Sequence, residues 1–262
     1  MNPDVNNWLQ LIFRWAHVVA GITWIGHLYF FNWVNGPFQG KIDAATKKNV
    51  NPELLPRALY WFRWGAAWTW IFGILLAGLV YYQTREVLFQ QDFPGNPWLW
   101  FIILLIVAAI GFVVYNAIMK AIANKTVAAV ICMILFAVVY FFFEFVGHYS
   151  GRALYIHAGM IFGTMMALNV WMVIWPSQKR IITALKNGTP PPDAEEVKRA
   201  GLRSRHNTYM SVPLVFAMIS NHYPTVYGAD PAVRDGILAA IIIVGFLFVR
   251  WTYSKAPKVP GI

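Results

Sequence analysis

Six histidines are the residues of this sequence best suited to chemistry, because all of them lie in or beside long apolar segments. They are His17, His27, His148, His157, His206 and His222. An ionisable side chain in the hydrocarbon core of a bilayer is energetically costly, so its presence there indicates a function. Imidazoles that converge from several helices of a bundle bind haem b through paired axial nitrogens, and they also suit copper and other metals.

The histidines divide into two groups by their depth in the apolar segments. Four lie toward the predicted outer face: His17, His148, His157 and His222. Two lie toward the predicted inner face: His27 and His206. We predict that the outer group binds one haem b, with His17, His157 and His222 as candidate axial ligands of the iron, and that the inner pair binds a second. The alternative is a structural or interfacial role, and it is strongest for His148 and His206.

Two charged residues adjoin the outer histidines. Arg14 precedes His17 by three positions, so both lie on one side of a helix, and an arginine there suits a haem propionate or an anionic substrate. Glu144 precedes His148 by four positions, so a carboxylate could orient the imidazole or relay protons. Arg14 and Glu144 are therefore candidate catalytic residues; the alternative is a buried ion pair that docks two helices. Glycines near the histidines would admit a flat macrocycle: Gly21, Gly26, Gly159 and Gly163.

The composition indicates which elements must position these residues. Of the 262 residues, 58% are hydrophobic and 12% are charged, whereas an average soluble domain has about 25% charged residues. So little polar surface predicts a membrane protein whose apolar faces contact the lipid bilayer. Seven segments are long enough to span a bilayer, which predicts an all-α, polytopic membrane helical bundle: 9–34, 59–82, 97–119, 127–147, 154–176, 207–223 and 236–253.

Lysine and arginine residues alternate in number between successive loops, which sets the orientation. The first, third and fifth loops hold most of them, and the other three hold one each: Arg85, Arg152 and Arg234. This predicts an N-terminus outside, a C-terminus inside and a cytoplasmic loop 177–206, within a single integral membrane domain over residues 1–262. Asp193 is predicted to cap a short helix in that loop. Because the basic residues are spread over the loops, the net charge of +10 does not indicate nucleic-acid binding.

Three long motifs stand in the first, fifth and sixth predicted spans: WAHVVAGITWIGHLYFFNWVNG, HAGMIFGTMMALNVWMVIWPSQ and SRHNTYMSVPLVFAMISNHYP. They resemble the membrane domain of the bacterial membrane-bound, cytochrome c-linked urate hydroxylases (urate oxidases), and the resemblance covers nearly the whole chain. Members of that family carry a further transmembrane helix and a C-terminal cytochrome c domain, whereas this sequence ends at Ile262 without a C-x-x-C-H motif. We therefore expect the electron acceptor to be a separate c-type cytochrome.

The resemblance implies a protein of the bacterial cytoplasmic membrane that oxidises urate to 5-hydroxyisourate and passes the electrons to a c-type cytochrome. Urate is a flat anionic purine, and its recognition requires arginine, amide or hydroxyl groups and aromatic walls. Candidates of that type are Arg14, Trp24, Asn221 and Tyr223. Among them, Asn221 joins Arg14 and Glu144 as a candidate catalytic residue.

Two other functions stay open at this point. The first is a non-catalytic di-haem electron-transfer or anchoring subunit of a respiratory complex, which the absence of an attached cytochrome favours. The second is a transporter without haem, in which intramembrane polar residues line a substrate path. We rank the transporter last, because the charged residues do not form a continuous run through the bilayer.

Overall fold

The computed structural model describes residues 2–190 and 192–260, and most of these residues are helical. Within them, the one β-type pairing is an isolated antiparallel bridge between Phe89 and Tyr149. The predicted all-α fold class is therefore confirmed. The α-helices in this part of the chain are α1 (Pro3–Tyr29), α2 (Gly36–Gln39), α3 (Ala44–Ala77), α4 (Arg85–Leu88), α5 (Pro97–Ala121), α6 (Lys125–Phe145), α7 (Gly151–Asn169), α8 (Trp175–Asn187), α9 (Ala194–Ser220), α10 (Pro224–Tyr227) and α11 (Pro231–Lys255). π-Helical segments follow α1, α3 and α7, and a 3₁₀ turn follows α11: Phe30–Asn35, Gly78–Tyr82, Val170–Ile174 and Ala256–Lys258.

Side-chain caps determine where several helices begin. The Asn96 side-chain oxygen accepts hydrogen bonds from two backbone N–H groups in the first turn of α5, where Pro97 fits because it has no N–H to satisfy. Asn124 caps α6 in the same way. The Asp193 carboxylate accepts a hydrogen bond from the backbone N–H of Glu195 at 3.2 Å, which confirms the predicted cap. The helix that it begins, α9, is long rather than short.

Six helical segments of the described chain are long and apolar enough to cross a membrane: Pro3–Gln39, Ala44–Tyr82, Pro97–Ala121, Lys125–Phe145, Gly151–Asn187 and Pro231–Lys258. They correspond to six of the seven predicted spans, of which 127–147 extends two residues beyond the observed helix, and they support a multi-pass membrane protein. The remaining predicted span, 207–223, falls mainly in the C-terminal half of α9. The N-terminal half of α9 is strongly charged, so a crossing by this helix stays a prediction. Its charged residues are Glu195, Glu196, Lys198, Arg199, Arg203 and Arg205.

Large apolar side chains lie on the surface of these segments. Those that are more than 60% exposed include Trp8, Trp15, Ile22, Val113 and Phe145. In water such a surface would drive aggregation, whereas lipid tails solvate it without cost. The exposed apolar faces are therefore those expected of helices that contact lipid.

The predicted cytoplasmic loop 177–206 is mostly helical, because α8 and the first half of α9 occupy it. Gly188 ends α8 in the left-handed conformation, with φ +66°, which glycine adopts without strain. Arg180 of α8 and Glu196 of α9 form an ion pair at 2.5 Å. The hydrogen bond from Arg180 lowers the pKa of the Glu196 carboxyl, so this link is present at neutral pH and is lost in acid.

The chain divides into two compact units. The first unit contains Met1–Gln10, Ile74–Met165 and Leu214–Ala239; the second contains Leu11–Gly73, Met166–Pro213 and Ala240–Ile262. Aromatic residues dominate the core of the first unit: Tyr82, Phe143, Tyr149 and Tyr155. The core of the second unit is mostly aliphatic and aromatic, with Trp24, Leu28, Phe62, Met166 and Val170.

The orientation of the chain in the membrane stays a prediction that reporter fusions can test. We expect reporters placed at Lys186 and at Asp92 to lie on opposite sides of the membrane, because the basic residues concentrate in alternate loops. An alkaline phosphatase fusion, active only outside, and a fluorescent fusion, active only inside, measure this for each position. The same side for both positions would contradict the predicted topology.

Candidate active site

Two consecutive tyrosines at the end of α3 enter the core of the first unit. Tyr81 and Tyr82 are 3% and 1% exposed, and they lie in the π-helical segment Gly78–Tyr82. The segment ends with a hydrogen bond from the Gln83 N–H to the Gly78 carbonyl, five residues back. Such π-turns are frequent at functional sites, because they change the direction in which side chains point.

Tyr82 belongs to a buried chain of hydrogen bonds. Its hydroxyl lies 2.6 Å from Nε2 of His157 and 3.2 Å from the hydroxyl of Tyr149. Nδ1 of His157 lies 2.7 Å from the Ala153 carbonyl, which can only accept, so Nδ1 carries the proton and Nε2 accepts one from Tyr82. Tyr149 must then donate to Tyr82. The chain therefore has one direction, from Tyr149 through Tyr82 to a neutral His157.

His157 is only 1% exposed, and aromatic rings enclose it. The ring centroid of Tyr149 lies 4.7 Å from that of His157, and those of Tyr81 and Phe143 lie at 5.8 and 6.2 Å. Burial raises the pKa of the Tyr149 phenol, which lies between two predicted spans, so this hydroxyl stays protonated. The arrangement can accept or transmit a proton but offers no direct access to solvent.

Tyr81 contacts a second polar group, formed by Arg152 and Asn221. The Asn221 side-chain oxygen accepts hydrogen bonds from the Tyr81 hydroxyl and from Nε of Arg152, both at 2.6 Å. The Arg152 guanidinium also lies 5.9 Å from the centre of the Tyr81 ring. Asn221 is buried and Arg152 is half-buried. Within the described residues Arg152 has no carboxylate partner, so its two terminal NH₂ groups can bind an anion.

Glu144 belongs to a separate buried network in the first unit. It forms an ion pair with Arg234, whose Nε also donates to Asp235 at 2.9 Å. Tyr140 donates to Asp235 at 2.7 Å, and Tyr155 donates to the Arg234 carbonyl at 2.6 Å. The partner of Glu144 is thus a residue that sequence analysis treated only as a loop charge. Charges paired in this way dock α6 against α11, and Glu144 makes no hydrogen bond to His148.

The other outer histidines of the first unit lie at its surface. His148 follows the end of α6 with φ +48°, so the helical four-residue spacing from Glu144 does not hold there. Its exposed ring stacks on Phe93 at a centroid distance of 4.5 Å. His222 and Tyr223 are also exposed, in the turn that follows α9. The structure thus brings Asn221 and His157 into one region through Tyr81 and Tyr82, and it leaves His148 and His222 at the surface.

The second unit contains the remaining candidates. Nδ1 of His17 donates to the Thr69 carbonyl at 2.8 Å, and Nδ1 of His27 donates to the Thr23 carbonyl at 2.7 Å. Both histidines therefore present Nε2 as the nitrogen with a free lone pair. His206 and Arg14 are half-buried in this unit. Trp24 is fully buried, and its indole N–H has no partner among the described residues.

These observations allow a test of whether the residues fit haem. His17 and His27 fit, because a histidine that binds iron through Nε2 normally donates its other N–H to a carbonyl. His157 fits less well, because both of its ring nitrogens are already hydrogen-bonded. The space beside Gly159 and Gly163 is filled by α9 side chains: a Cβ added at either glycine would lie 2.9–3.1 Å from Met218 or Leu214. Among the described residues no group of three or more histidine, cysteine or acidic residues could hold a metal ion, which concerns the copper alternative and not haem, whose iron needs at most two side-chain ligands.

The class that these features define is an all-helical, multi-pass membrane protein with a buried tyrosine–histidine chain beside an arginine–asparagine pair. The chain belongs to the urate oxidase N-terminal family: the model of that family matches residues 3–48 and 38–259. The family resemblance drawn from the sequence motifs is confirmed at this level, and the membrane-bound subtype stays a prediction. No curated protein and no solved structure matches the chain.

Four members of the site were not predicted from the sequence: Arg152, Tyr81, Tyr82 and Tyr149. Arg152 was counted only as a loop charge, and the tyrosines carried no spacing that set them apart from other aromatic residues. No spacing in the sequence connects these residues to His157: Arg152 precedes it by five positions, which puts the two on different sides of α7, and Tyr149 lies before that helix.

Proposed function

We propose that this protein is a membrane oxidoreductase that oxidises urate to 5-hydroxyisourate and passes the electrons to a separate c-type cytochrome. Membership of the urate oxidase N-terminal family supports the substrate. The observation that carries the proposal is the Arg152–Asn221–Tyr81 cluster, where a half-buried guanidinium without a carboxylate partner adjoins an amide and an aromatic ring. Those are the groups that an anionic purine requires.

Each group of the cluster has a defined role in binding. The terminal NH₂ groups of Arg152 donate to the urate anion as a planar pair. The side-chain oxygen of Asn221 already accepts two hydrogen bonds, so its NH₂ group is left to donate to a purine carbonyl. Tyr81 holds Asn221 in place and gives the guanidinium a flat apolar neighbour. Arg152 thus takes the role that sequence analysis gave to Arg14.

The reaction must release protons as well as electrons. Urate and water give 5-hydroxyisourate, two protons and two electrons. A proton that reaches Tyr149 can move along the hydrogen bonds to Tyr82 and then to Nε2 of His157, each oxygen giving up one proton as it receives another. His157 can accept the proton because its ring is neutral and its Nε2 atom carries a lone pair. We assign His157 to proton transfer for this reason, and Tyr82 to positioning and relay.

Haem b remains part of the proposal as the electron carrier. His17 and His27 lie ten residues apart on α1, roughly 15 Å along the helix, so each would hold a separate haem through its free Nε2 atom, with its ring oriented by a carbonyl. When bound, haem b carries single electrons between a two-electron donor and a one-electron acceptor. His206, a half-buried residue of the same unit, is a further candidate ligand.

Removing a proposed haem ligand should reduce haem binding, whereas removing a surface histidine should not. We expect His17→Ala to lower the haem-to-protein ratio and to shift the absorption band of the remaining haem, because the iron loses a nitrogen ligand. The measurement is haem content by pyridine haemochromogen on purified protein, with His222→Ala as an exposed control and His157→Ala as a buried one. Loss of haem in His157→Ala together with full haem in His17→Ala would contradict the assignment.

Turnover under anaerobic conditions tests the proposed reaction. The purified protein is mixed with urate, with and without oxidised cytochrome c, and both urate loss and cytochrome reduction are followed. We expect urate loss to require the acceptor and to reduce two cytochromes per urate, because the reaction releases two electrons. Equal urate loss without an acceptor would contradict electron transfer to a cytochrome.

The same assay separates this function from that of a non-catalytic electron-transfer subunit. The observation that favours the subunit is the pair of Nε2 atoms on His17 and His27, which suits electron transfer without any substrate. If haem is present but no acceptor supports urate loss, the subunit function replaces the proposal.

A further inference from the structure

A cavity of about 600 Å³ lies within the second unit. It is bounded by the end of the segment that follows α1, by the first half of α9 and by the end of α11 with its 3₁₀ turn. Residues from each of these elements line it: Phe31, Asn32, Lys198, Arg205, Tyr253 and Pro257. The cavity is therefore built from the ends of two membrane-spanning segments and from the charged half of α9.

The polar groups on one wall of the cavity are hydrogen-bonded to one another. The Tyr253 hydroxyl donates to the Asn32 side-chain oxygen at 2.8 Å. The Asn32 NH₂ group donates to the Leu28 carbonyl and to the Ser204 hydroxyl, both at 2.9 Å. These bonds fix the Tyr253 ring, and the Arg205 guanidinium lies over that ring at 4.9 Å.

Arg205 contributes the uncompensated charge. In the part of the chain that the structure describes, Arg205 forms no ion pair with a carboxylate, whereas Lys198 is paired with Glu195 at 2.8 Å. Arg205 is exposed, and its position over Tyr253 is that of a cation held by an aromatic face. The wall thus presents one positive charge in a fixed position and a second one that is partly neutralised.

We infer that this cavity binds the phosphate group of an anionic phospholipid. Basic pockets between the ends of membrane helices recognise anionic headgroups through arginine and lysine. The lining also includes apolar residues, which a free phosphate ion would not require but the glycerol and acyl groups of a lipid would. Phe248 and Trp251 lie on α11 just before Tyr253 and are exposed, so the lipid-facing surface of this helix continues to the cavity. This inference is independent of the urate site in the first unit.

Thermal unfolding of the purified, delipidated protein in detergent tests the inference. Wild type, Arg205→Gln and the control Arg199→Gln are titrated with phosphatidylglycerol, with phosphatidylcholine and with inorganic phosphate. Arg199 is an exposed arginine of the same helix that does not line the cavity. We expect phosphatidylglycerol to raise the unfolding temperature of wild type and Arg199→Gln, and Arg205→Gln to require about ten times more of it, since a charge-assisted hydrogen bond is lost.

Three results would overturn the inference. Equal shifts of the unfolding temperature with phosphatidylglycerol and phosphatidylcholine would show that binding does not depend on the charge of the headgroup. An equal shift with inorganic phosphate would show a site for free anions, and displacement of the lipid by urate would show a substrate site. If Arg205→Gln does not fold, Arg205→Lys replaces it, because lysine keeps the charge but not the planar fork. We expect Arg205→Lys to require more phosphatidylglycerol than wild type for the same rise in unfolding temperature, and an unchanged requirement would contradict the inference.

Discussion

Replacing Arg152 by glutamine is expected to lower kcat/KM for urate about 10- to 100-fold, because a hydrogen bond to a charged group contributes about 1.5–3 kcal/mol. Glutamine keeps a polar side chain near Asn221 but carries no charge and cannot donate as a planar pair. Since Arg152 binds the anion before and during the reaction, most of the loss should be a higher KM.

The matched control for this variant is Arg85→Gln. Arg85 is an exposed arginine of the same unit, and its guanidinium donates to the Phe93 carbonyl instead of to a side chain of the cluster. We expect Arg85→Gln to keep the wild-type kcat/KM. Equal losses in both variants would indicate a general effect of surface charge, and no loss in Arg152→Gln would contradict the assigned site.

Replacing Arg234 by methionine is expected to destabilise the protein by about 3–5 kcal/mol, because it leaves the buried carboxylate of Glu144 without its partner. Both residues are about 5% exposed, and the second carboxylate oxygen of Glu144 already has no hydrogen-bond partner among the described residues. Asp235 would keep its hydrogen bond from Tyr140. The measurement is the unfolding free energy or the unfolding temperature in detergent.

Two further variants give this prediction its controls. Arg57→Met removes the exposed pair Arg57–Glu53, in which both side chains are 72% exposed. Because water screens such a pair, we expect the unfolding free energy to stay near that of wild type. The double variant Arg234→Met with Glu144→Gln removes both charges, so it should recover much of the lost stability. A double variant as unstable as Arg234→Met alone would show that charge burial is not the cause.

The helices of the fold could be predicted from the sequence because their signals are local. An apolar run of the required length defines a span, and the Asp193 cap is defined by the residues that follow it. The span at 207–223 is the exception. Its apolar residues form only half of a helix whose other half is charged, so local composition does not decide whether it crosses the membrane.

The candidate site could be predicted only in part, because its contacts join distant parts of the chain. His157 was predicted because an imidazole at the start of an apolar segment is unusual, and Asn221 because the family resemblance implies a purine site, which requires amide groups. Their partners, Tyr81 and Tyr82, depend on a π-helical turn and on pairings more than 70 residues apart. No periodicity or spacing specifies such pairings.

Glu144 shows the same limit. Its nearest charged neighbours in the sequence suggested a partner histidine four residues later, and the structure supplies an arginine 90 residues later. The helix ends before His148, so the expected helical geometry is absent at that point. Side-chain partners in a helical bundle depend on which helices pack together. That arrangement cannot be inferred from the sequence of either helix alone.

A structure of the protein with urate bound, determined by electron cryo-microscopy in lipid nanodiscs, tests the central claim most directly. We predict density for a flat purine within hydrogen-bond distance of the Arg152 guanidinium and the Asn221 amide, beside the Tyr81 ring. Urate density in the second unit against Arg205 and Tyr253, with none at Arg152, would contradict the account.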